Sequence, residues 1–198
     1  LEAAIRDSTL PGVARAKTLE IYLSRGSENA EGFLVELSSM EDDVVALEAI
    51  RRLLEAGSDK AAAAIGKAVQ SSSDYRRQQG WKLMRTVDSP EMISLIVGGL
   101  EDLKEAAGVG AAAIELLETA KDREDFEIKQ TLEAYESQMR LSDDPLAAYY
   151  PSLEGGDPKR GRALFGSHPG GQCMRCHLVD GGHGTEHAGP SLAGVGSR

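Results

Sequence analysis

The spacing of apolar residues along the first part of the chain predicts α-helices. Between Asp43 and Gly57, apolar side chains recur every three or four residues, which places them on one face of a helix that ends at the glycine. These side chains are Val44, Val45, Leu47, Ile50, Leu53 and Leu54. No segment shows the alternation of β-branched and polar residues that is typical of strands. The pattern therefore predicts an all-α fold.

The predicted helices also repeat at a nearly constant period. A pair of large apolar residues closes every other helix, and the pairs lie 31, 30 and 33 residues apart: Tyr22-Leu23, Leu53-Leu54, Leu83-Met84 and Leu116-Leu117. Such a period is typical of stacked helical hairpins, each of which buries its apolar face against its neighbours. The residue signatures of tetratricopeptide and ankyrin repeats are missing. We therefore expect a HEAT-like array over residues 1–140, with a plain helical bundle as the alternative.

Three local features complete the prediction for this region. Ser89 followed by Pro90 is a helix start, with the serine as the N-cap and the proline at the first helical position. Trp81 lies just before an apolar pair and is expected in the core. Two acidic clusters fall where helices should begin, so helix capping and a favourable interaction with the helix dipole account for them, and no metal is required. The clusters are Glu41-Asp42-Asp43 and Glu124-Asp125.

The composition of the chain changes near residue 141. Residues 1–140 contain 26 acidic and 17 basic residues, whereas the remainder contains 6 and 5 and holds 12 of the 22 glycines. Residues 141–159 are rich in proline and glycine, which suits a linker. We expect Tyr149 and Tyr150 to pin this linker to the last helical repeat. A second domain is predicted over residues 160–198.

Charge and hydropathy exclude two classes of function. The net charge of −10 repels nucleic-acid phosphates, and no apolar run reaches the roughly 20 residues that a membrane span needs. Because the chain starts at Leu1 without a charged and apolar leader, we expect it to be a fragment of a longer protein whose export signal lies outside it.

The second domain carries the candidate chemistry. Both cysteines of the chain lie in one Cys-x-x-Cys-His sequence, Cys173 to His177, which is the signature of c-type haem attachment. Cysteines three residues apart on a helical turn share a face, so both sulfurs can form thioethers with the vinyl groups of one porphyrin. The imidazole of His177 would then bind the iron.

Three other interpretations of the two cysteines stay open. A thioredoxin-like redox pair would need a neighbouring strand, and none is predicted. A zinc site could use Cys173, Cys176 and His177 with a fourth ligand, although adjacent side chains at 176 and 177 diverge on a helix. That fourth ligand would be His168, His183 or His187. The pair could also form a structural disulfide or have no special role.

The surrounding sequence resembles the N-terminal half of a c-type cytochrome domain of the mitochondrial fold type. The matching residues are Gly161 and Phe165 before the haem sequence and Gly189, Pro190, Leu192 and Arg198 after it. The resemblance implies that the carbonyl of Pro190 accepts the imidazole N–H of His177. It also implies that Leu192 packs on the porphyrin and that Arg198 reaches a propionate. Helical repeats joined to such a domain resemble large exported bacterial haem-binding proteins of the membrane-bound dehydrogenase kind.

One feature departs from the family. Its distal iron ligand, usually Met, comes from a later segment, and no Met follows Met174 in this chain. His183 and His187 lie too close to His177 to reach the opposite haem face and are expected to face solvent. We therefore expect this chain to form only half of a haem pocket. Where haem-ligation machinery is absent, we expect Cys173 and Cys176 to be free thiols or to form a disulfide.

The function expected from these features is one-electron transfer by haem c in an exported protein, outside the cytoplasm. A fused dehydrogenase or a redox partner protein would supply the electrons, and the chain itself would not be an enzyme. The rival hypothesis is a binding module. In that case the concave face of the helical array holds a protein partner, and the cysteine-containing tail is structural or zinc-bound.

Overall fold

The computed structural model describes residues 1–26, 29–85, 87–105, 110–179 and 188–195. Every regular element among these residues is helical and none is a strand, so the predicted all-α class is confirmed. Contacts divide the chain into two compact units, Leu1–Gly155 and Gly156–Arg198. The division falls inside the stretch predicted as a linker, and residues 141–155 belong to the first unit. None of the described helices is long and apolar enough to cross a membrane.

Among the residues that the structure describes, nine α-helices belong to the first unit and one to the second. Those of the first unit are α1 (Glu2–Arg6), α2 (Gly12–Ser24), α3 (Ala30–Leu37), α4 (Asp43–Glu55), α5 (Lys60–Val69), α6 (Asp74–Met84), α7 (Pro90–Lys104), α8 (Ala113–Asp122) and α9 (Phe126–Arg140). The second unit begins with α10 (Pro158–Ser167). Short 3-10 helices cover Gly110–Ala112, Ala147–Ser152 and Cys173–Arg175.

The helices of the first unit contact one another in two rows. In one row α2 contacts α4, α4 contacts α6 and α6 contacts α8, while in the other α5 contacts α7 and α7 contacts α9. Helices α2, α4 and α6 begin 31 residues apart. Helix α8 begins later than this period requires, and the 3-10 helix Gly110–Ala112 directly precedes it. The predicted apolar pair Leu116-Leu117 consequently lies inside α8, not at its end, and that part of the repeat prediction is wrong.

The ends of several helices follow directly from their sequences. Gly57 has φ +65°, and the amides of Gly57 and Ser58 donate to the carbonyls of Leu54 and Leu53, each at 2.9 Å. This pair of bonds closes α4 with a Schellman motif, for which glycine has the lowest backbone cost. At the start of α7, Ser89 Oγ accepts a hydrogen bond from the amide of Met92 at 3.3 Å, which confirms the predicted N-cap.

Both acidic clusters lie at the start of a helix, but side-chain capping is confirmed at only one of the two. Asp42 caps α4 by accepting from the amides of Val44 and Val45 at 3.0 and 3.1 Å. Asp125 precedes α9 but makes no side-chain cap bond, because its carboxylate accepts instead from Arg123 Nε at 2.7 Å. The Arg123 guanidinium lowers the pKa of Asp125 through this bond.

The core of the first unit is apolar and closely packed. Trp81 is 4% exposed, as predicted, and contributes to a cluster drawn from every helix of the two rows. Val44, which the apolar pattern placed on the buried face, is 39% exposed because the face of α4 that packs inward runs through Val45 and its neighbours on that side. The sequence pattern also gave no sign that Arg15 would be buried. Its guanidinium donates to the Ile5 carbonyl at 2.7 Å and pairs with Asp42 at 3.1 Å.

The end of the first unit packs through an unexpected side chain. The 3-10 helix Ala147–Ser152 contacts α8 and α9, and Ala147 is the buried residue there. Tyr149 and Tyr150, which we expected to dock, are 65% and 51% exposed. Ala147 is thus the buried residue of this segment, while each tyrosine is more than half exposed.

Candidate functional site

The cysteine-containing segment of the second unit forms one tight helical turn. The amides of Cys176 and His177 both donate to the carbonyl of Cys173, at 3.2 and 3.0 Å, so residues 173–177 wind once around. Neither thiol is part of a disulfide; Cys173 is half-buried and Cys176 is exposed. Both sulfur atoms and the following imidazole therefore project from a single turn of backbone.

A short loop with its own hydrogen bonds leads into this turn. Gln172 has φ 43°, a left-handed conformation that is uncommon for a residue with a side chain. Its side chain stabilises that conformation, because Nε2 donates to the Pro169 carbonyl at 3.0 Å and Oε1 accepts from Arg175 Nη1 at 2.5 Å. His168 Nδ1 accepts from the amide of Gly171 at 3.0 Å, which orients the histidine within the loop. The start of the turn is thus defined by local contacts.

The imidazole of His177 is held at one of its two nitrogens. Its Nδ1 lies 2.9 Å from the carbonyl oxygen of Pro190. A carbonyl can only accept, so Nδ1 carries the hydrogen in this contact. In the neutral form of a ring held in this way, Nε2 has a free lone pair. A fixed tautomer of this kind is how proteins present a histidine nitrogen to a metal. The contact between His177 and Pro190 that the resemblance implied is present in the structure.

Two backbone hydrogen bonds flank that contact. The amide of Gly189 donates to the Cys176 carbonyl and the amide of Leu192 donates to the Leu178 carbonyl, each at 2.8 Å. Sequence reasoning anticipated neither bond, because both join residues separated by more than ten positions without any strand pattern. Together with the His177 contact they hold residues 188–192, which we call the clamp, against the residues that follow the turn.

The other described residues of the predicted site make less specific contacts than His177 does. Leu192 and Phe165 are half-buried, and α10, which carries Phe165, contacts the Cys173–Arg175 turn. A side chain at Gly161 would meet no atom within 4 Å, so close packing does not require glycine there. Arg198, His183 and His187 lie outside the described residues.

The second unit has almost no interior of its own. None of its described residues is buried, and several apolar side chains are largely exposed, among them Leu164 at 47%, Met174 at 49% and Val195 at 57%. Cationic side chains are also prominent: the exposed residues Lys159, Arg160 and Arg175 lie on α10 and in the turn. Local hydrogen bonds, not apolar burial, therefore order this unit.

A zinc site receives no geometric support from the described part of the chain. Within it, no group of three or more His, Cys, Asp or Glu side chains lies close enough to hold a metal ion. Two of the three candidate fourth ligands, His183 and His187, fall outside that part. Cys173, Cys176 and His177 lie on one backbone turn, but they do not form such a group.

Two clefts in the first unit were not anticipated from the sequence. They lie beside the 3-10 helix Ala147–Ser152 and have volumes of about 410 and 450 Å³. Tyr135 and Met139 line both, Tyr150 lines the first and Tyr149 lines the second. The adjacent tyrosines were the signal in the sequence, since exposed paired aromatics often mark binding surfaces.

Comparison with known proteins gives no further assignment. The chain matches no protein-family model, and neither a curated protein nor a solved structure is similar to it. The assignment of a function therefore depends on the geometry above.

Proposed function

We propose that the second unit is a haem c-binding electron-transfer module and that the first unit is its HEAT-like helical scaffold. The observation that carries the proposal is the arrangement at the turn. Cys173 and Cys176 project from one backbone turn, and the next residue, His177, presents Nε2 while Pro190 holds its Nδ1 at 2.9 Å. Two thiols and one such imidazole are the protein groups that c-type haem attachment uses.

Each residue would have a distinct task in holding the cofactor. Each cysteine S–H would add across one vinyl group, with sulfur bonding to one carbon and the hydrogen going to the other. His177 Nε2 would donate its lone pair to the iron, and the Pro190 carbonyl would keep the ring oriented and increase its basicity. Bound haem would supply the chemistry, an iron that takes up and releases one electron. Leu192 would offer an apolar contact to the porphyrin.

The lack of buried side chains in the second unit supports covalent attachment. A unit of 43 residues lies near the lower limit for folding around an apolar core, and its described residues bury none. A porphyrin joined through Cys173 and Cys176 could cover exposed apolar groups such as Leu164 and Val195. Thioether bonds would retain the cofactor where apolar contacts alone are too few.

The pattern of contacts between helices in the first unit supports the HEAT-like scaffold. Alternate helices contact in two rows, and α2, α4 and α6 start at a constant 31-residue interval, as stacked hairpins require. In a repeat array each hairpin is stabilised mainly by its neighbours. Such a scaffold would connect the haem module to a fused dehydrogenase or to a separate redox partner. Because covalent haem attachment occurs outside the cytoplasm, we place the function there.

The experiment is to export the chain with a signal peptide in cells that contain haem c maturation machinery. We expect haem colour to remain with the polypeptide after boiling in detergent and reductant. Replacing both Cys173 and Cys176 with alanine should abolish that colour. The matched control Met174→Leu changes a residue between the two cysteines and should retain it. A colourless wild-type chain that is exported and folded would contradict the proposal.

The second candidate function is a protein-binding helical module whose cysteine tail is structural or zinc-bound. The two clefts beside Ala147–Ser152, with their exposed tyrosines, favour it. Zinc analysis of the same exported chain separates the candidates. One zinc ion per colourless chain, lost in the double cysteine variant, would support the second candidate against the first.

A further inference from the structure

The first cleft of the helical unit, which Tyr150 lines, contains a carboxylate that no described cation pairs with. Lys104 on its wall pairs with Glu101 at 2.9 Å. Glu154, also on the wall, is exposed and has no ion-pair partner among the described residues. Its Oε2 would lie 3.8 Å from a Cβ atom built on Gly110, which is another residue of the wall. The cleft therefore presents a negative charge to a molecule that enters it.

The neighbouring charges leave this carboxylate uncompensated. Arg77 Nη2 would lie 3.9 Å from the same Cβ on Gly110, but its guanidinium is paired with Asp74. In the second cleft, by contrast, Lys121 pairs with Glu136 at 3.7 Å. Residues 1–155 contain 29 acidic and 17 basic residues, so the electrostatic potential of the whole unit also attracts cations.

The first cleft also contains a buried hydroxyl group without a partner. Tyr135 lines the cleft and is only 6% exposed, yet its hydroxyl makes no hydrogen bond to a described residue. Buried polar groups are nearly always hydrogen-bonded, so this one is available to a ligand. Burial raises the pKa of Tyr135, and the hydroxyl therefore stays protonated at neutral pH. Its oxygen can accept a hydrogen bond from an N–H group.

The wall that carries these groups is held by specific contacts. Gly155 has φ +84°, and a Cβ atom there would lie 1.8 Å from the Ala111 carbonyl oxygen, so only glycine permits this approach of the chain beside Glu154. The hydroxyl of Tyr150 donates to Asp144, which fixes the position of the ring. The cleft volume of about 410 Å³ lies in the range of small-molecule sites. The remaining wall is largely apolar and includes Leu103, Ala113, Met139, Pro151 and Leu153.

We propose that the first cleft binds an organic cation, a protonated amine with an apolar ring system. The ammonium group pairs with the Glu154 carboxylate, and the hydroxyl of Tyr135 supplies a second polar contact. The ring system lies against Tyr150 and the apolar wall, because aromatic side chains offer large contact areas to planar groups. This site belongs to the first unit alone and does not depend on haem attachment in the second.

Three probes with the same ring system test the requirement for charge. At about pH 7, 2-naphthylmethylamine is a cation, 2-naphthylmethanol is neutral and 2-naphthoic acid is an anion. Isothermal titration calorimetry of the full chain at low salt measures their affinities. We expect the amine to bind about fivefold more tightly than the alcohol, and the acid to bind most weakly. Amide NMR shifts should change at Gly110 and Ala113 and not at Ala148, which lines the second cleft.

Substitutions assign the preference to individual side chains. Glu154→Gln should make the affinities of amine and alcohol nearly equal. The matched control Asp143→Asn removes an exposed carboxylate that lines neither cleft and should leave the preference unchanged. Tyr135→Phe should weaken amine binding by about threefold through the lost hydrogen bond. Tyr150→Ala should weaken all three probes, whereas Tyr149→Ala should weaken none.

Four results would overturn the proposal. Equal affinities of the amine and the alcohol for the wild-type chain would show an apolar surface without selection for charge. Loss of the preference in Asp143→Asn as well as in Glu154→Gln would assign it to the general acidity of the unit. Amide shifts confined to the surroundings of Ala148 would place the probes in the second cleft. Failure of the amine to bind at about 1 mM would show that the first cleft is not a ligand site of this kind.

Discussion

The two units of the chain are ordered by different forces. The first buries apolar side chains completely, as at Leu19, Ile50, Met84 and Leu116, whereas none of the described residues of the second is buried. In the second unit, order comes from hydrogen bonds within residues 168–177 and from the clamp. The comparison shows that regular packing forms the scaffold, while the candidate site depends on a few directed contacts around His177.

Truncating a buried core side chain should have the largest effect and should destabilise the first unit. Ile50 is fully buried, so Ile50→Ala should lower the free energy of unfolding by about 2–5 kcal/mol through lost burial and the cavity left behind. Val13 is 72% exposed, and Val13→Ala should change the free energy of unfolding by less than about 0.5 kcal/mol. Urea unfolding followed by circular dichroism measures both. Similar values for the two variants would argue against a packed core.

Adding one methyl group should have opposite effects in the two units. Gly57 ends α4 with φ +65°, so Gly57→Ala should cost about 1–2 kcal/mol of unfolding free energy. Gly161 lies inside α10 with open space around it, so Gly161→Ala should stabilise that helix by up to about 1 kcal/mol. Urea unfolding tests the first change and amide hydrogen exchange in α10 the second. A stabilising effect of Gly57→Ala would contradict the role given to its φ angle.

The smallest expected effect concerns the response of the first unit to acid. Arg123 lowers the pKa of Asp125 through its hydrogen bond, so the carboxylate stabilises the folded state above the unfolded pKa, near 4. That contribution is lost as the pH falls through the lowered folded-state pKa. Asp125→Asn should therefore reduce the loss of unfolding free energy at acid pH. The reduction should be less than about 1 kcal/mol for such a pair.

The control for this pair is Glu124→Gln, which removes a neighbouring carboxylate whose side chain is 87% exposed. It should leave the slope of unfolding free energy against pH nearly unchanged between pH 2 and 5. If both variants flatten the slope equally, general acidity of the region, and not the contact with Arg123, causes the decline.

The periodic parts of the fold could be predicted from the sequence. The apolar spacing around Ile50, the Ser89 cap and the turn at Gly57 are local features, and each determines its own structure. The pattern was wrong at Val44, which is exposed, and at Leu116-Leu117, which lies inside α8, because packing against other helices and not the local spacing decides burial and helix ends. Burial of Arg15 could not be foreseen, since it depends on a carbonyl and a carboxylate from other elements.

At the candidate site, the sequence predicted the residue types but not how they come together. The spacing of Cys173 and Cys176 indicated the turn, and the resemblance implied the contact from His177 to Pro190. The backbone bonds of Gly189 and Leu192 join segments that no periodicity connects. The conformation of Gln172 follows from contacts with Pro169 and Arg175, which become visible only when the loop is folded.

Trp81 gives the first unit an optical signal of its own. It is the only tryptophan in the chain and is 4% exposed, and its indole nitrogen has no hydrogen-bond partner among the described residues. Its emission should therefore be blue-shifted in the native protein and should move to longer wavelength when the helical array opens. An attached porphyrin absorbs in the range where indole emits. Quenching of Trp81 fluorescence would then report the haem attachment that we propose.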